Sequence, residues 1–471
     1  MKGETMADGS EKRHQSRFRW GSDGYFFYPW EKSFERIMTP FEQFIERETT
    51  SGLILMAGTV LALILANSPL KEIYAHVIHS TGYIGIAEFS IRLSLLHWIN
   101  ECLMAFFFFV VGLEIKREIL VGELSDLKSA ALPIVAAFGG MVVPALIYYL
   151  FNPWGDFAMG WGIPMTTDIA FCIGALVMLG RRVPKSLMVF LVSLAIADDL
   201  GAVVVIAIFY TDAINIWAFA SALGIFFLLM VFNLSGVRNS IAYFLVGGVL
   251  WLFMLFSGVH AAVSGVVVAM CIPARGRYNP EIFGDRLREL AGQFDETTCE
   301  RECILSNVEQ YSVLKAIDRE GHLAEPPLQK MLDFLHLPVA LIVIPLFALA
   351  NAGITFDFPS PLSIATHPAT LGVMIGLVVG KPIGITLVSW IFIRLKMLSL
   401  PHEATMGHIF GVGLLGGIGF TMSIFIAELS FGGRPETLAI AKTGIIFASL
   451  IAGILGIMWL LWVSRNRQQE V

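Results

Sequence analysis

Charged residues are few in this sequence. Asp, Glu, Lys and Arg make up 15% of its 471 residues, against 56% hydrophobic residues and a mean hydropathy of +0.72. That balance excludes an ordinary soluble domain and places the chain among integral membrane proteins. Cysteine is far scarcer still. Of five residues, Cys102, Cys172 and Cys271 sit in apolar segments, where small buried thiols are common, so no disulfide framework is expected. Cys299 and Cys303 are four apart in a long polar loop with His322 downstream, which favours reduced, unpaired thiols over a metal site. Residues 1–50 have no apolar core of a cleavable signal peptide. Within them Phe34, Ile37, Met38, Phe41, Phe44 and Ile45 recur at helical spacing among Glu and Arg, the pattern of a short amphipathic helix lying on a membrane, although Pro40 interrupts it. With 32 Lys and Arg against 38 Asp and Glu, no nucleic-acid partner is expected. Neither a cofactor nor a catalytic residue set is expected.

The apolar remainder divides into about twelve candidate spans. They begin near Ser51, Ile99, Ala130, Gly160, Leu187, Ile216, Ala242, Val259, Leu337, Leu371, Met406 and Thr443. Lys and Arg set their orientation. Lys116, Arg117 and Lys128 share one loop, and Arg181, Arg182 and Lys185 the next but one. Arg238, the 275–330 loop, and Arg394 with Lys396 continue the alternation, while loops 152–157 and 210–214 contain neither Lys nor Arg. An even number of spans with both termini in the cytoplasm satisfies this pattern. The expected layout is an N-terminal extension over 1–50, a transmembrane unit over 51–465 that contains the long 275–330 cytoplasmic loop, and a tail over 466–471.

Against that background the few buried charges stand out. Leu187 to Tyr210 is long enough to cross a bilayer, and its only charges are the adjacent Asp198 and Asp199. An aspartate at a span's centre costs about 2.5–3.5 kcal/mol on insertion scales, and such groups mark ion or proton paths. Neighbouring helical residues point about 100° apart, so this helix should be enclosed on two sides. Two stretches, 162–174 and 411–423, carry too much glycine and proline for continuous spanning helices. Broken segments in the two halves of a chain point to a transporter's binding site, and close packing through small residues is the plainer reading. The first stretch also carries Asp168 beside Thr166 and Thr167. Lys381 needs an acid partner unless it snorkels to the interface or loses its proton. Three acids and one base, with threonine and unwound carbonyl oxygens nearby, suit a small hard cation or protons.

Six stretches then resemble the NhaA-type Na+/H+ antiporter family. They are Val110-Val-Gly-Leu-Glu-Ile-Lys-Arg-Glu118, Thr166-Thr-Asp-Ile-Ala-Phe171, Ala195-Ile-Ala-Asp-Asp-Leu-Gly201, Pro345-Leu-Phe-Ala-Leu-Ala-Asn-Ala-Gly353, Gly380-Lys-Pro-Ile-Gly384 and Gly417-Ile-Gly-Phe-Thr-Met-Ser423. The likeness runs in order from about residue 35 to 465. It implies an all-α integral membrane protein of about twelve transmembrane helices, with inverted repeats and two broken helices crossing at mid-membrane. It further implies a dimeric, electrogenic inner-membrane exchanger that moves Na+ or Li+ out for H+ in and serves pH and sodium homeostasis. Asp199 becomes the main Na+ ligand, Asp198 a ligand or proton carrier, and Lys381 the partner of Asp198. Thr167 and Asp168 fall at the crossing, where the carboxylate offsets converging positive helix ends and Lys381 the negative ones. Glu114, Arg117 and Glu118 match a charged cluster at a cytoplasmic funnel linked to pH response. His260 and His336 match histidines tied to pH dependence, and 81–96 matches an extracytoplasmic hairpin that makes dimer contacts.

The chain departs from the family before the ninth span. Positions expected to hold an acid and a histidine read Leu332, Asp333 and Phe334, as though the acid had shifted by one place. The 275–330 loop and the N-terminal extension are also longer. A sodium-coupled organic-anion symporter of related architecture is the alternative, but it needs a cationic or polar substrate pocket, and Lys381 is its only base. An intramembrane aspartyl protease needs two aspartates on facing helices, which adjacent residues do not supply. A passive channel is distinguished by whether uptake runs uphill.

Overall fold

The computed structural model describes residues 48–86, 89–211, 213–276, 280–297, 307–355 and 366–468, with a two-residue strand pair at Arg19–Trp20 and Phe26–Phe27. The amphipathic stretch at 34–45 and the Cys299–Cys303 pair lie outside the described residues. Among the described residues, nine helices are long and apolar enough to cross a membrane, and two bent helix pairs raise the number to eleven.

The first pair is α1 (Glu48–Ala66) with α2 (Lys71–His79), bent by 114°. The bend holds because Asn67 Nδ2 donates to the Ile354 carbonyl at 2.7 Å and the Tyr74 hydroxyl donates to the Leu349 carbonyl at 2.6 Å. A hairpin follows, β1 (Thr81–Ile86) antiparallel to β2 (Phe89–Ser94), with Thr81 opposite Ser94 and Ile86 opposite Phe89. The spans α3 (Leu95–Leu120) and α4 (Leu127–Phe151) come next. A 3-10 segment, Ala158–Met165, then leads to α5 (Ile169–Leu179). Beyond it lie α6 (Lys185–Phe209), α7 (Ile216–Leu234), α8 (Ser240–Ser257) and α9 (Val263–Cys271). The long loop contributes α10 (Pro280–Glu296) and α11 (Val308–Ala324), which pack on each other. The chain closes with α12 (Pro327–Asn351), α13 (Pro368–Arg394), α14 (Met406–Gly416), α15 (Phe420–Phe431) and α16 (Pro435–Gln468).

Sequence chemistry explains many of these boundaries. Ser94, Asn215, Asn239 and Asn307 each accept a backbone N–H from the first turn of the helix they precede, which satisfies donors the helix cannot. The eighth expected span is the exception in length, because α9 has only nine residues. Gly258, at φ 84, ends α8 in the left-handed region, and a short irregular stretch precedes α9. Lys116 donates to the Met270 and Ile272 carbonyls at 2.6 and 2.5 Å, so a residue counted as loop charge caps the end of α9. Wide π turns interrupt α3, α12 and α13 at Ile99–Leu103, Val339–Val343 and Gly376–Gly380. Pro345 and Pro382 follow the last two by two residues. Neither proline has an N–H, and a widened turn relieves the clash of its ring with the carbonyl four residues back.

The apolar side chains form two main clusters. One surrounds α5, α14 and α15, and the other lies between α3, α7, α8, α9 and α12. Phe107 and Ile344 pack against both. In the first cluster α4 and α13 touch backbone to backbone. A Cβ on Gly139 would lie 2.4 Å from the Gly384 carbonyl oxygen, and one on Gly384 would lie 2.2 Å from that of Gly139. Only glycine permits this approach. Lys381 sits one turn before the contact and is thereby brought into the core.

Candidate functional site

Both broken stretches are broken where the glycine and proline pattern placed them. The first is extended at Thr166–Asp168, between the 3-10 segment and α5. The second interrupts α14 and α15 at Gly417–Gly419 with a bend of 48°. They meet directly, because the Asp168 N–H donates to the Ile418 carbonyl at 2.7 Å. Four helix ends therefore converge in the core, each with unpaired backbone groups.

Asp168 serves both positive ends. Its Oδ1 accepts from the Phe171 N–H of α5 at 3.2 Å. Its Oδ2 accepts from the Thr421 N–H and hydroxyl of α15 at 3.0 and 2.5 Å. Thr166 and Ser423 hydroxyls lie 3.1 Å apart, and the Cys172 thiol donates to the Leu415 carbonyl at 2.9 Å. At the negative ends, Lys381 Nζ donates to the Met165 carbonyl at 2.6 Å, and the Thr167 hydroxyl lies 3.2 Å from the Gly416 carbonyl oxygen. Lys381 also pairs with Asp198 Oδ2 at 2.6 Å, with both side chains fully buried, and the Thr167 hydroxyl lies 2.6 Å from the same oxygen. The snorkelling reading of Lys381 is excluded by this geometry.

Asp199 is different. It is buried, yet neither carboxylate oxygen has a hydrogen-bond partner among the described residues, and the same holds for Asp198 Oδ1. Buried polar atoms are ordinarily satisfied, so three orphan oxygens on adjacent residues require an explanation. Asp199 lines a cavity of about 510 Å3 together with Thr167, Asp168 and Thr421. Glu114, Arg117, Asp333 and His336 line it too. The ends of α3 and α12 that carry these four charges adjoin the basic loops. No cluster of three or more metal-ligating His, Cys, Asp or Glu occurs among the described residues. The donor set is carboxylate and hydroxyl oxygen, which suits a small hard cation.

The pH-response candidates separate in space. Glu114 and His336 face each other across the cavity at 3.9 Å. Asp333 and the buried Leu332 both line the cavity, while Phe334 is exposed. Glu118 belongs to a second cavity of about 500 Å3 with Glu123 and Asp126, and its Oε1 accepts the Glu123 N–H at 2.9 Å. His260 does not line the funnel. It packs edge-on against Phe425 at 5.3 Å and contacts Glu101 at 3.2 Å.

The structure adds to the four intramembrane charges read from the sequence. Lys442 of α16 and Glu428 of α15 form a second ion pair at 2.5 Å, about nine-tenths buried, and Glu101 is partly buried beside His260. Glu428 and Lys442 lie near the hairpin between their helices, where a charge reads as interfacial. Their separation of 14 residues across a turn was the available signal.

Comparison with known proteins bears on this arrangement. The family described as Na+/H+ antiporter 1 matches residues 42–460. An antiporter named NhaA from Sulfurimonas denitrificans is 51% identical, over 93% of this chain and 99% of its own length. One from Saccharophagus degradans is 48% identical over 92% and 93% of the two chains. One from Acidithiobacillus ferrooxidans is 47% identical over 92% and 99%.

Proposed function

We propose a working scheme from one premise: this chain belongs to the Na+/H+ antiporter 1 family. It is an all-α, multi-pass membrane protein that exchanges Na+ for H+, and the symporter alternative finds no support among its relatives. The finer scheme rests on the site. Asp199 is the principal cation ligand, and Asp198 contributes its unpartnered Oδ1. Sodium and protons compete for these oxygens, so loading one ligand releases the other. Lys381 holds Asp198 Oδ2 and neutralises it between loading events, and Asp168 with Thr167 keeps the crossing in shape. The protein acts as a transporter, not an enzyme. It sits in the inner membrane with both termini cytoplasmic, is electrogenic and dimeric, accepts Li+ as well as Na+, and serves pH and sodium homeostasis.

The observation that carries this reading is the Asp199 carboxylate, buried, without hydrogen-bond partners among the described residues, and facing a cavity that leads to the side of the basic loops. The test is cation-induced proton release in inverted vesicles, scanned across pH and cation, with Asp199→Asn as the control. Sodium-dependent proton movement of parental size in that variant would overturn the assignment. Exchange that does not respond to an imposed membrane potential would overturn electrogenicity alone.

A further inference from the structure

Among the described residues, a concavity larger than the funnel lies elsewhere. It has a volume of about 1330 Å3 and lies where the C-terminal end of α5, the N-terminal end of α6, the 395–405 connector and the C-terminal end of α16 come together. These ends adjoin the basic loops, so the groove sits at the depth where spans give way to lipid headgroups. Its wall is apolar, from residues such as Leu176, Val183 and Met188, and its rim carries Arg182, Lys185 and His402 with one acid, Glu403, while His408 lies buried beneath it. Pro184, the residue preceding α6, offers no side-chain cap, so the positive end of a 25-residue helix opens beside Lys185. Ser186 donates to the His402 carbonyl and ties the connector to α6.

An independent feature points to a ligand. Ser464 of α16 lines the groove and is 6% exposed, and its hydroxyl has no partner among the described residues. A buried hydroxyl in this position seeks an acceptor. Cationic rim, unpaired donor and apolar wall together match an amphiphile with an anionic head, whereas a free anion needs no apolar wall. Basic pockets between spanning helices on this face suit phosphate headgroups. We infer that this groove binds one anionic phospholipid, its phosphate against Arg182, Lys185 and Ser464 and its acyl chains along the apolar wall. The inference needs only that the chain spans a membrane, so it stands apart from the exchange scheme.

Native mass spectrometry of the full chain in detergent, titrated with phosphatidylglycerol or phosphatidylcholine, tests it without any transport assay. The parent should retain phosphatidylglycerol about tenfold or more over phosphatidylcholine, given what two basic side chains contribute at a headgroup. Arg182→Gln with Lys185→Gln should remove most of that preference. Val189→Trp, which fills the wall without altering charge, should lower retention of the lipid while sparing the rim. Unchanged preference in the double variant, or unchanged retention in Val189→Trp, overturns the proposal. So does inorganic phosphate that displaces the lipid or raises the melting temperature as much as it does, since the groove is then a free-anion site.

Discussion

The crossing of the broken helices and the middle of α6 lie side by side and treat buried carboxylates in opposite ways. At the crossing, Asp168 accepts three hydrogen bonds from two helices. In α6, Asp199 is equally buried and accepts none from the described residues. Asp198 falls between them, with one oxygen shared by Lys381 and Thr167 and the other unpartnered. A carboxylate whose lone pairs are filled by the protein is part of the architecture. One left unfilled is available to something that arrives and leaves. Side by side, the three aspartates grade from scaffold to cargo ligand.

The sharpest way to break that gradient is Asp199→Asn. Exchange should fall to background while the melting temperature in detergent holds or rises, because no protein contact is lost and a buried charge is removed. A melting temperature that collapses along with transport would move Asp199 to the scaffold side. Next in size is Lys381→Ala, which leaves Asp198 as an uncompensated buried charge at a cost of about 3–5 kcal/mol. Adding Asp198→Asn should recover much of the melting temperature but not the transport, and a double variant no more stable than the single one would refute the pairing. Asp168→Ala removes a cap shared by two helices and should cost about 2–4 kcal/mol, at roughly 1–2 per helix end. Denaturant unfolding reads this directly, and a loss below 1 kcal/mol would deny Asp168 its structural role.

A subtler measurement is apparent Na+ affinity in vesicles from about pH 6 to 9. Protons occupy the carboxylates at the acid end, so affinity should rise with pH. A flat profile rules out direct competition. Glu114→Gln should reshape the profile while leaving the alkaline limit in place, because Glu114 pairs with His336 and is no ligand to the cation, although it lines the same cavity as Asp199. The smallest effect is expected of Glu428→Leu with Lys442→Met. Replacing both members of a buried pair by apolar groups is often neutral, so melting should stay within about 1 kcal/mol of the parent.

Much of the site was legible because its parts are costly in hydrocarbon. Asp198, Asp199, Asp168 and Lys381 interrupt apolar runs, and the glycines and proline of 162–174 and 411–423 mark where helices stop. What escaped notice lies near helix ends. Lys116, Glu428 and Lys442 occupy positions where a charge ordinarily meets water, so only the packing reveals that each has a buried partner. Local pattern also says nothing of length in three dimensions, which is why the shortness of α9 had to be seen. The separation of Glu118 and His260 from the funnel depends on helix rotation and long-range contacts that spacing along the chain does not encode.

The doubly capping aspartate has a mechanical consequence. Sliding one broken segment past the other would sever the Asp168 bonds to Thr421, its N–H bond to Ile418, the Thr166–Ser423 contact and the Cys172–Leu415 bond. At a net of about 0.5–1.5 kcal/mol each, the five together come to about 2.5–7.5 kcal/mol, comparable to or above the few kcal/mol separating interconverting states. The crossing therefore travels as one rigid piece, and whatever flexes during a transport cycle flexes around it.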